Sequence, residues 1–483
     1  MSRPNKKGTV YLVGAGPGDL GLITVRGREL LGKADVVVYD HLVNPRLLDF
    51  APRARRVYAG KRSDSHTLEQ PEINRLLVRE ARAGRTVVRL KGGDPYIFGR
   101  GAEEAEALAR ARIPFEIVPG VTAAIGASTY AGIPLTHRER ASQVTFVTGV
   151  TRKGELDAAD LPRRGTLVVY MGHRTLGRLA RKLIRLGWDP ATPAATVSWA
   201  TTPRQRTVRG TLATIAERAA DLAAPSVTFI GRVVDLMPRL RWFENKPLFG
   251  RRVVVTRARE QSHELAHELE ALGAEVVSFS TIRIRPVRVP PIRLRGRGFT
   301  HLAFTSRTAV DLFFRNLAGD ARELAGLVVC AVGDQTARAL RERGIRPDVV
   351  AAEFTSRALA RELARRGVRG AHVFHPGADK MNPDFERLLE KSGARVTNLV
   401  LYRIDKVAPD NVSAVEGADW ITFASAQTVR NFMAAVDGRP VRARVACIGP
   451  VTAREARRFG LKVRAVPRRF TFQALLEEIV KRS

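Results

Sequence analysis

Tyr11-Leu-Val-Gly14-Ala-Gly16-Pro17-Gly18-Asp19 reads as a short apolar strand, a glycine loop and the approach to a helix. Glycine lets backbone come close to a ligand, and a helix start offers free N–H groups. A dinucleotide fingerprint would need a third glycine where Asp19 stands, and Pro17 removes one backbone donor. No Gly-Lys-Ser/Thr follows, so a phosphate loop of the Walker type is absent. Taken alone, the stretch is equally a tight strand-to-helix turn.

The same rhythm continues outward. Val36–Tyr39, Thr86–Leu90, Val144–Thr148, Thr166–Tyr170, Val253–Thr256 and Val328–Val332 are short Val-rich runs. Between them lie helical stretches such as Ala102–Ala111 and Leu176–Leu186. Short buried strands alternating with helices predict α/β architecture with mainly parallel sheets. The 483 residues predict about three domains. The main seam is expected in Arg241–Gly250, which has Pro and Gly and no period, giving domains 1–245 and 246–483. The first is expected to hold lobes at about 8–119 and 120–240.

The second half repeats itself. Val328–Arg338 resembles Arg444–Arg454, Phe304–Val310 resembles Phe423–Val429, and Leu272–Val276 resembles Ser392–Val396. Three segments recur in one order at nearly one spacing, so two similar α/β lobes are expected, with a ligand cleft between them. Cys330 and Cys447 fall on matched strands and are expected to be buried and structural. Two cysteines exclude a disulfide framework and four-cysteine zinc sites, and no metal is expected. No apolar leader or membrane-length run is visible, so a cytoplasmic protein is expected.

Further motifs cluster in the first half. Arg89-Leu-Lys-Gly92-Gly93-Asp94-Pro95-Tyr-Ile97-Phe-Gly99-Arg-Gly101 places four glycines in ten residues at a strand end, where open α/β sheets bind ligands. Pro119-Gly-Val-Thr122-Ala123-Ala124 again offers small residues. Asp40 ends a strand and suits either a base or a helix cap. Gly60-Lys61-Arg62 presents two cations, a solvated pair or an anchor for carboxylates.

Together these residues resemble the uroporphyrinogen-III C-methyltransferases of the tetrapyrrole methylase superfamily over about 8–240. The carrying segments are Val13–Asp19, Val38–Asp40, Gly60–Arg62 with His66, Gln70 and Ile73-Asn74, Lys91–Pro95, Phe98–Gly101, Pro119–Ala123 and Gly132–Arg138. From about 250 the chain resembles uroporphyrinogen-III synthases, through its repeat, Thr256-Arg257, Phe304-Thr-Ser306 and Leu401-Tyr-Arg403. The resemblance implies a two-lobed methylase fold followed by a bilobal α/β synthase with internal duplication.

It implies S-adenosylmethionine for the methylase half, contacted by Pro17, Gly92, Gly93, Asp94, Ile97, Thr122, Ala123, Met171 and Ala200. Ala200 stands where the family commonly has glycine. Asp40 matches the proton acceptor and Lys61 the donor; Arg62 and His66 are expected to meet substrate. The synthase half would cyclise hydroxymethylbilane without a cofactor. Its expected contacts are Arg257, Thr305, Ser306, Ser425 and Thr452, with Tyr402 as the acid and Lys380 as a cation. A helix-start role competes for each of the hydroxyl residues. The resemblance also implies a homodimer through the methylase half.

Lys and Arg total 81 against 48 Asp and Glu, a net +33. Nucleic acid is one reading, an Arg-biased genome a second, and steering of polycarboxylate tetrapyrroles a third. A methylase-superfamily RNA-modifying enzyme with a basic accessory domain is the alternative. Lys61, His66, Gln70 and the synthase-like half speak against it. Aromatics at 6%, mostly within apolar runs, argue against a nucleic-acid binder.

Overall fold

A computed structural model describes residues 7–60, 68–150, 161–162, 164–256, 259–353, 355–407 and 412–483. The chain divides into two compact units, one running to Arg252 with Glu268–Val276 and Ser483, the other comprising Val253–His267 and Val277–Arg482.

The first unit begins with β1 (Val10–Gly14), β2 (Val36–Tyr39), β3 (Arg55–Tyr58), β4 (Val87–Lys91) and β5 (Phe115–Val118). They form a parallel sheet in the order β3-β2-β4-β1-β5. Helix α1 (Val25–Lys33) covers one face, burying Leu30 and Leu31 against Val13, Val37, Val88 and Leu90. Helices α2 (Gln70–Arg82) and α3 (Gly101–Arg110) cover the other. There Leu76, Leu77 and Leu108 meet Val10, Leu12, Val36, Val38 and Val87. Burial on both faces is why the inner strands β1, β2 and β4 are rich in valine, while the edge strands β3 and β5 stay partly exposed. Each such fully buried side chain contributes about 1.5–3 kcal/mol.

The helix expected directly after the glycine loop starts later. Leu20–Leu22 form a 3₁₀ turn first, and α1 begins at Val25, capped by the Thr24 hydroxyl, which accepts from the Gly27 N–H at 3.1 Å. The glycine loop therefore delivers no helix N-terminus to a ligand.

A second sheet holds β6 (Val144–Thr148), β7 (Thr166–Tyr170), β8 (Pro193–Ser198), β9 (Arg206–Thr211) and β10 (Ser226–Ile230), in the order β6-β7-β10-β8-β9. Only β6 and β7 are parallel; the other pairs are antiparallel, so the expectation of mainly parallel sheets fails here. A short connection such as 199–205 between β8 and β9 permits only antiparallel pairing. Helix α4 (Ala123–Ala131) and helix α5 (Leu176–Arg185) pack on opposite faces of this sheet.

Two more sheets follow, which apart from Arg252, Glu275 and Val276 belong to the second unit. Their strands are β11 (Arg252–Val255), β12 (Glu275–Ser278), β13 (Ile282–Pro286), β14 (His301–Phe304), β15 (Val328–Ala331), β16 (Val349–Val350), β17 (His372–Ala378), β18 (Arg395–Lys406), β19 (Trp420–Phe423), β20 (Arg444–Cys447) and β21 (Val463–Ala465). One sheet runs β12-β11-β19-β20-β21, the other β13-β18-β17-β14-β15-β16. The duplication is thus visible as one five-strand order used twice, β18-β17-β14-β15-β16 answering β12-β11-β19-β20-β21. The copies are permuted in sequence. The chain lays two strands of the first lobe, builds the whole second lobe, and returns to finish the first.

Register fixes the correspondence. Val373 lies beside His301 in one lobe, and Val253 beside Trp420 in the other. Both cysteines are free and buried, and burial pushes each thiol up to about 12, as a structural role requires.

Candidate active site

β1 and β4 are neighbours whose chains leave in opposite directions. β1 continues through α1 towards β2, and β4 through α3 to β5 on the far side of β1. The crevice between such strand ends is where open α/β sheets hold ligands. The two loops are stitched by Gly16 N–H to Gly93 O at 3.2 Å and Gly93 N–H to Gly16 O at 2.8 Å.

Three glycines from three loops meet there. A Cβ on Gly120 would lie 2.4 Å from the Gly93 carbonyl oxygen and 2.8 Å from the Gly14 Cα. Gly93 has φ +67° but nothing within 3.6 Å of its missing Cβ, so conformation and open space, not crowding, explain it. Asp94 locks the arrangement: one carboxylate oxygen accepts from the Gly120 N–H at 2.9 Å, the other from the Tyr96 N–H at 2.8 Å.

Gly120→Ala is therefore expected to push backbone against backbone. Overpacking of this kind costs about 1–3 kcal/mol. Cofactor affinity measured by calorimetry should fall by about tenfold or more, with the activity of the second half unchanged. Unaltered affinity would separate this crevice from cofactor binding.

The expected cofactor residues converge here. Thr122 Oγ1 lies 2.8 Å from the Tyr170 hydroxyl, which also accepts from the Ala124 N–H at 3.0 Å. Burial raises the Tyr170 phenol above its ordinary value. Phe98 tilts against the Tyr170 ring at 4.9 Å, bringing Ile97 and Met171 to the same rim. Pro17 packs on α4, where a Cβ on Gly126 would come within 2.4 Å of it. The segment around Ala200 closes the other side: Thr201 Oγ1 accepts from the Asp19 N–H at 3.1 Å, and the Tyr130 hydroxyl donates to Asp19 at 2.7 Å. Phe98, Arg100, Met171, Trp199 and Thr201 all have left-handed φ values, a strain that concentrates at functional sites.

Asp40 sits at the end of β2, a quarter exposed. Its Oδ1 accepts from the Leu42 N–H at 3.1 Å, so it shapes a turn; the following 3₁₀ helix is capped by Asn44 instead. Its Oδ2 faces Arg89 at 3.5 Å. Behind it lies a charged cluster that sequence reasoning missed. Arg89 and Lys91 are each 3% exposed and Glu104 is fully buried. Glu104 Oε1 accepts from Arg89 Nε at 3.0 Å, Lys91 Nζ at 3.1 Å and Gln70 Nε2 at 3.2 Å, while its Oε2 has no partner among the described residues. Burial, with Arg89 beside it, lowers the Lys91 ammonium below its ordinary value. Two cations and two carboxylates balance, with Asp40 as the one that reaches solvent. Two cations two residues apart on a valine strand were the available signal.

In the second unit, Thr305, Ser306 and Tyr402 come together. The Tyr402 hydroxyl is 3.0 Å from Ser306 Oγ, and burial raises its phenol above the ordinary value. Ser306 and Ser425 each cap a helix, accepting from Ala309 N–H and Thr428 N–H, so the helix-start reading holds for both. Thr452 is buried in the first turn of Pro450–Arg458 and offers little surface to a ligand. Lys380 is exposed beside Asp379. His375 is buried between Thr305 and Asn398, unassigned by sequence reading. Lys61, Arg62, His66 and Arg257 lie outside the described residues.

Comparison with known proteins meets this geometry. Residues 9–216 match the family model of Tetrapyrrole (Corrin/Porphyrin) Methylases, and residues 263–477 that of Uroporphyrinogen-III synthase HemD. The porphyrin biosynthesis protein HemD of Ruminiclostridium josui is 37% identical over 494 residues, covering 98% of this chain and 98% of the relative. The chain belongs to the fused methylase–synthase family. A second relative of this fused family member, the uroporphyrinogen-III C-methyltransferase of Bacillus subtilis, is 43% identical over 360 residues, 71% of this chain and 74% of its own. A solved uroporphyrin-III C-methyl transferase from Thermus thermophilus, complexed with S-adenyl homocysteine, is 45% identical. It covers 47% of this chain and 93% of its own, with a TM-score of 0.42. The fused methylase–synthase is an enzyme of tetrapyrrole biosynthesis with a methyltransferase part and a lyase-class synthase part.

Proposed function

We propose that the chain cyclises hydroxymethylbilane to uroporphyrinogen III with inversion of ring D, and methylates that product twice with S-adenosylmethionine to give precorrin-2, on the route to sirohaem or cobalamin. Residues 1–245 are assigned to the methylase and 246–483 to the synthase. The observation that carries the reading is the meeting of Gly14, Gly93 and Gly120 in the β1/β4 crevice with Asp40 at its rim, in one chain with the duplicated synthase lobes.

The crevice suits S-adenosylmethionine because backbone, not side chain, lines it. Gly92, Gly93, Thr122 and Ala123 would hold the group from one side and Pro17 and the Ala200 segment from the other, with Asp94 keeping the loops in place. When bound, the cofactor supplies an electrophilic methyl group. The chain's task is to hold the pyrrole carbon in line with it, and such positioning is worth several orders of magnitude. Asp40, which faces Arg89, takes the proton that the methylated ring releases, and Lys61 manages the substrate's carboxylates. In the synthase half, Tyr402 keeps its proton through burial and serves as acid for departure of the hydroxyl. The +33 excess favours approach of polycarboxylate substrates. The methylase half is proposed to form a homodimer. No helix among the described residues is long and apolar enough to cross a membrane.

The test supplies hydroxymethylbilane with and without S-adenosylmethionine and identifies products by mass and isomer. Uroporphyrinogen III alone, then its dimethylated form when the methyl donor is present, is expected. Exclusive formation of the non-inverted isomer would defeat the synthase assignment, and absence of methylated product the methylase assignment.

A further inference from the structure

We infer that His375 is a positioning residue of the synthase half, fixing the Thr305 hydroxyl as a hydrogen-bond acceptor for an N–H group of the pyrrolic substrate. The inference rests on the synthase reading above and assigns the direction of one hydrogen-bond chain within it.

The direction follows from what each group can do. Glu386 is a carboxylate and accepts; Asn398 Nδ2 donates to its Oε2 at 2.8 Å. That turns Asn398 Oδ1 towards His375 Nδ1, 3.0 Å away. A carbonyl oxygen only accepts, so Nδ1 carries the imidazole proton. His375 is 2% exposed, and burial lowers its basicity, so the ring is neutral and Nε2 is a lone pair. Nε2 lies 3.1 Å from Thr305 Oγ1, and only the threonine has a proton to give. The Phe385 ring, 4.4 Å from the imidazole, holds its plane.

Thr305 is left with lone pairs and no free proton. It is half-buried immediately after β14, beside Ser306 and Tyr402, at the carboxyl end of a parallel strand where ligands of open sheets lie. A rotating hydroxyl accepts or donates as needed, but a pinned one only accepts. A pyrrole N–H is a donor with no acceptor of its own, so the two are complementary. As the hydroxyl leaves the terminal ring, positive charge grows on that ring's nitrogen, and an acceptor aimed at its N–H strengthens at that moment.

The duplication supplies an internal control. In the other lobe the positions of His375, Thr305 and Asn398 are held by Val255, Ala424 and Ser278. The same strand order forms there without the chain, so the fold does not require it.

The test uses the full-length protein. His375→Leu and Thr305→Val are each expected to lower synthase kcat/KM by on the order of ten- to a hundredfold, the double variant falling no further than either single. Thr305→Ser should restore most of the rate. Methylation of supplied uroporphyrinogen III should be unchanged in all of them, and an unchanged denaturation midpoint of the second unit, which carries both positions, certifies that this unit still folds. Nitrogen-15 spectra of the wild-type protein should show His375 protonated at Nδ1 and unprotonated at Nε2. Protonation at Nε2, additive losses, or a wild-type rate in His375→Leu would overturn the inference. A wild-type chain that fails to accelerate formation of the inverted isomer would defeat the synthase reading instead, and the nitrogen spectrum would still decide the direction of the chain.

Discussion

Replacing Asp40 by asparagine is expected to lower methyl-transfer turnover by about 100- to 10,000-fold, the usual weight of general-base catalysis. Asparagine keeps Oδ1, and with it the 3.1 Å bond from the Leu42 N–H that shapes the turn. It loses only the charge and the basicity. Calorimetry should find cofactor affinity nearly unchanged, because Gly93, Thr122 and Pro17 do not touch the altered atom. Geometry is consistent with the proposed role: Arg89, anchored by Glu104, faces Oδ2 at 3.5 Å and leaves the carboxylate at the solvent-reaching edge of the charged cluster. Steady-state kinetics decide the matter. An Asp40→Asn enzyme with normal turnover would leave Asp40 as a turn residue and the base unassigned.

Glu104→Leu should be the most damaging single change to stability in the first unit. It strands Arg89 and Lys91 with Asp40 as their remaining counter-ion at the rim. Removing one partner of a buried ion cluster costs about 3–5 kcal/mol. That is a large share of the 5–15 kcal/mol typical of a folded protein. Denaturant titration of the first transition would report it. A loss below about 1 kcal/mol would mean that water already reaches the cluster. Glu104→Gln should cost less, because one amide oxygen can keep facing Arg89 Nε.

The contrast between these residues explains what the sequence could disclose. The glycine loops were legible because a loop's chemistry is local: Gly92-Gly93-Asp94-Pro95 carries its turn, its φ requirement and its capping carboxylate within four residues. Glu104 was not legible, because nothing local distinguishes it from the exposed Glu103 beside it. Only the packing of α3 on β4 places it against Arg89 and Lys91. His375 was hidden for the same reason, since its partners arrive through the pairing of β17 with β18 and the end of β14. Strand direction in the second sheet was also unreadable. A doubly buried run such as Ala194–Val197 has the same composition whichever way it points, and the length of its connection decides. The duplicated lobes were visible as repeated segments, but their permuted order was not, because similarity between segments says nothing of which sheet each joins.

That permuted order bears on how the chain is made. β11 and β12 leave the ribosome early, yet β11's other neighbour in the sheet, β19, begins only at Trp420, after the whole second lobe has been synthesised. During translation the lobe containing β14 to β18 can close on its own, while the first lobe waits as a two-stranded fragment with an unpaired edge, a form prone to stray association. Completion of the first lobe thus waits for the strands from Trp420 onward, and a nascent chain arrested before β19 would present a finished inner lobe beside an open outer one.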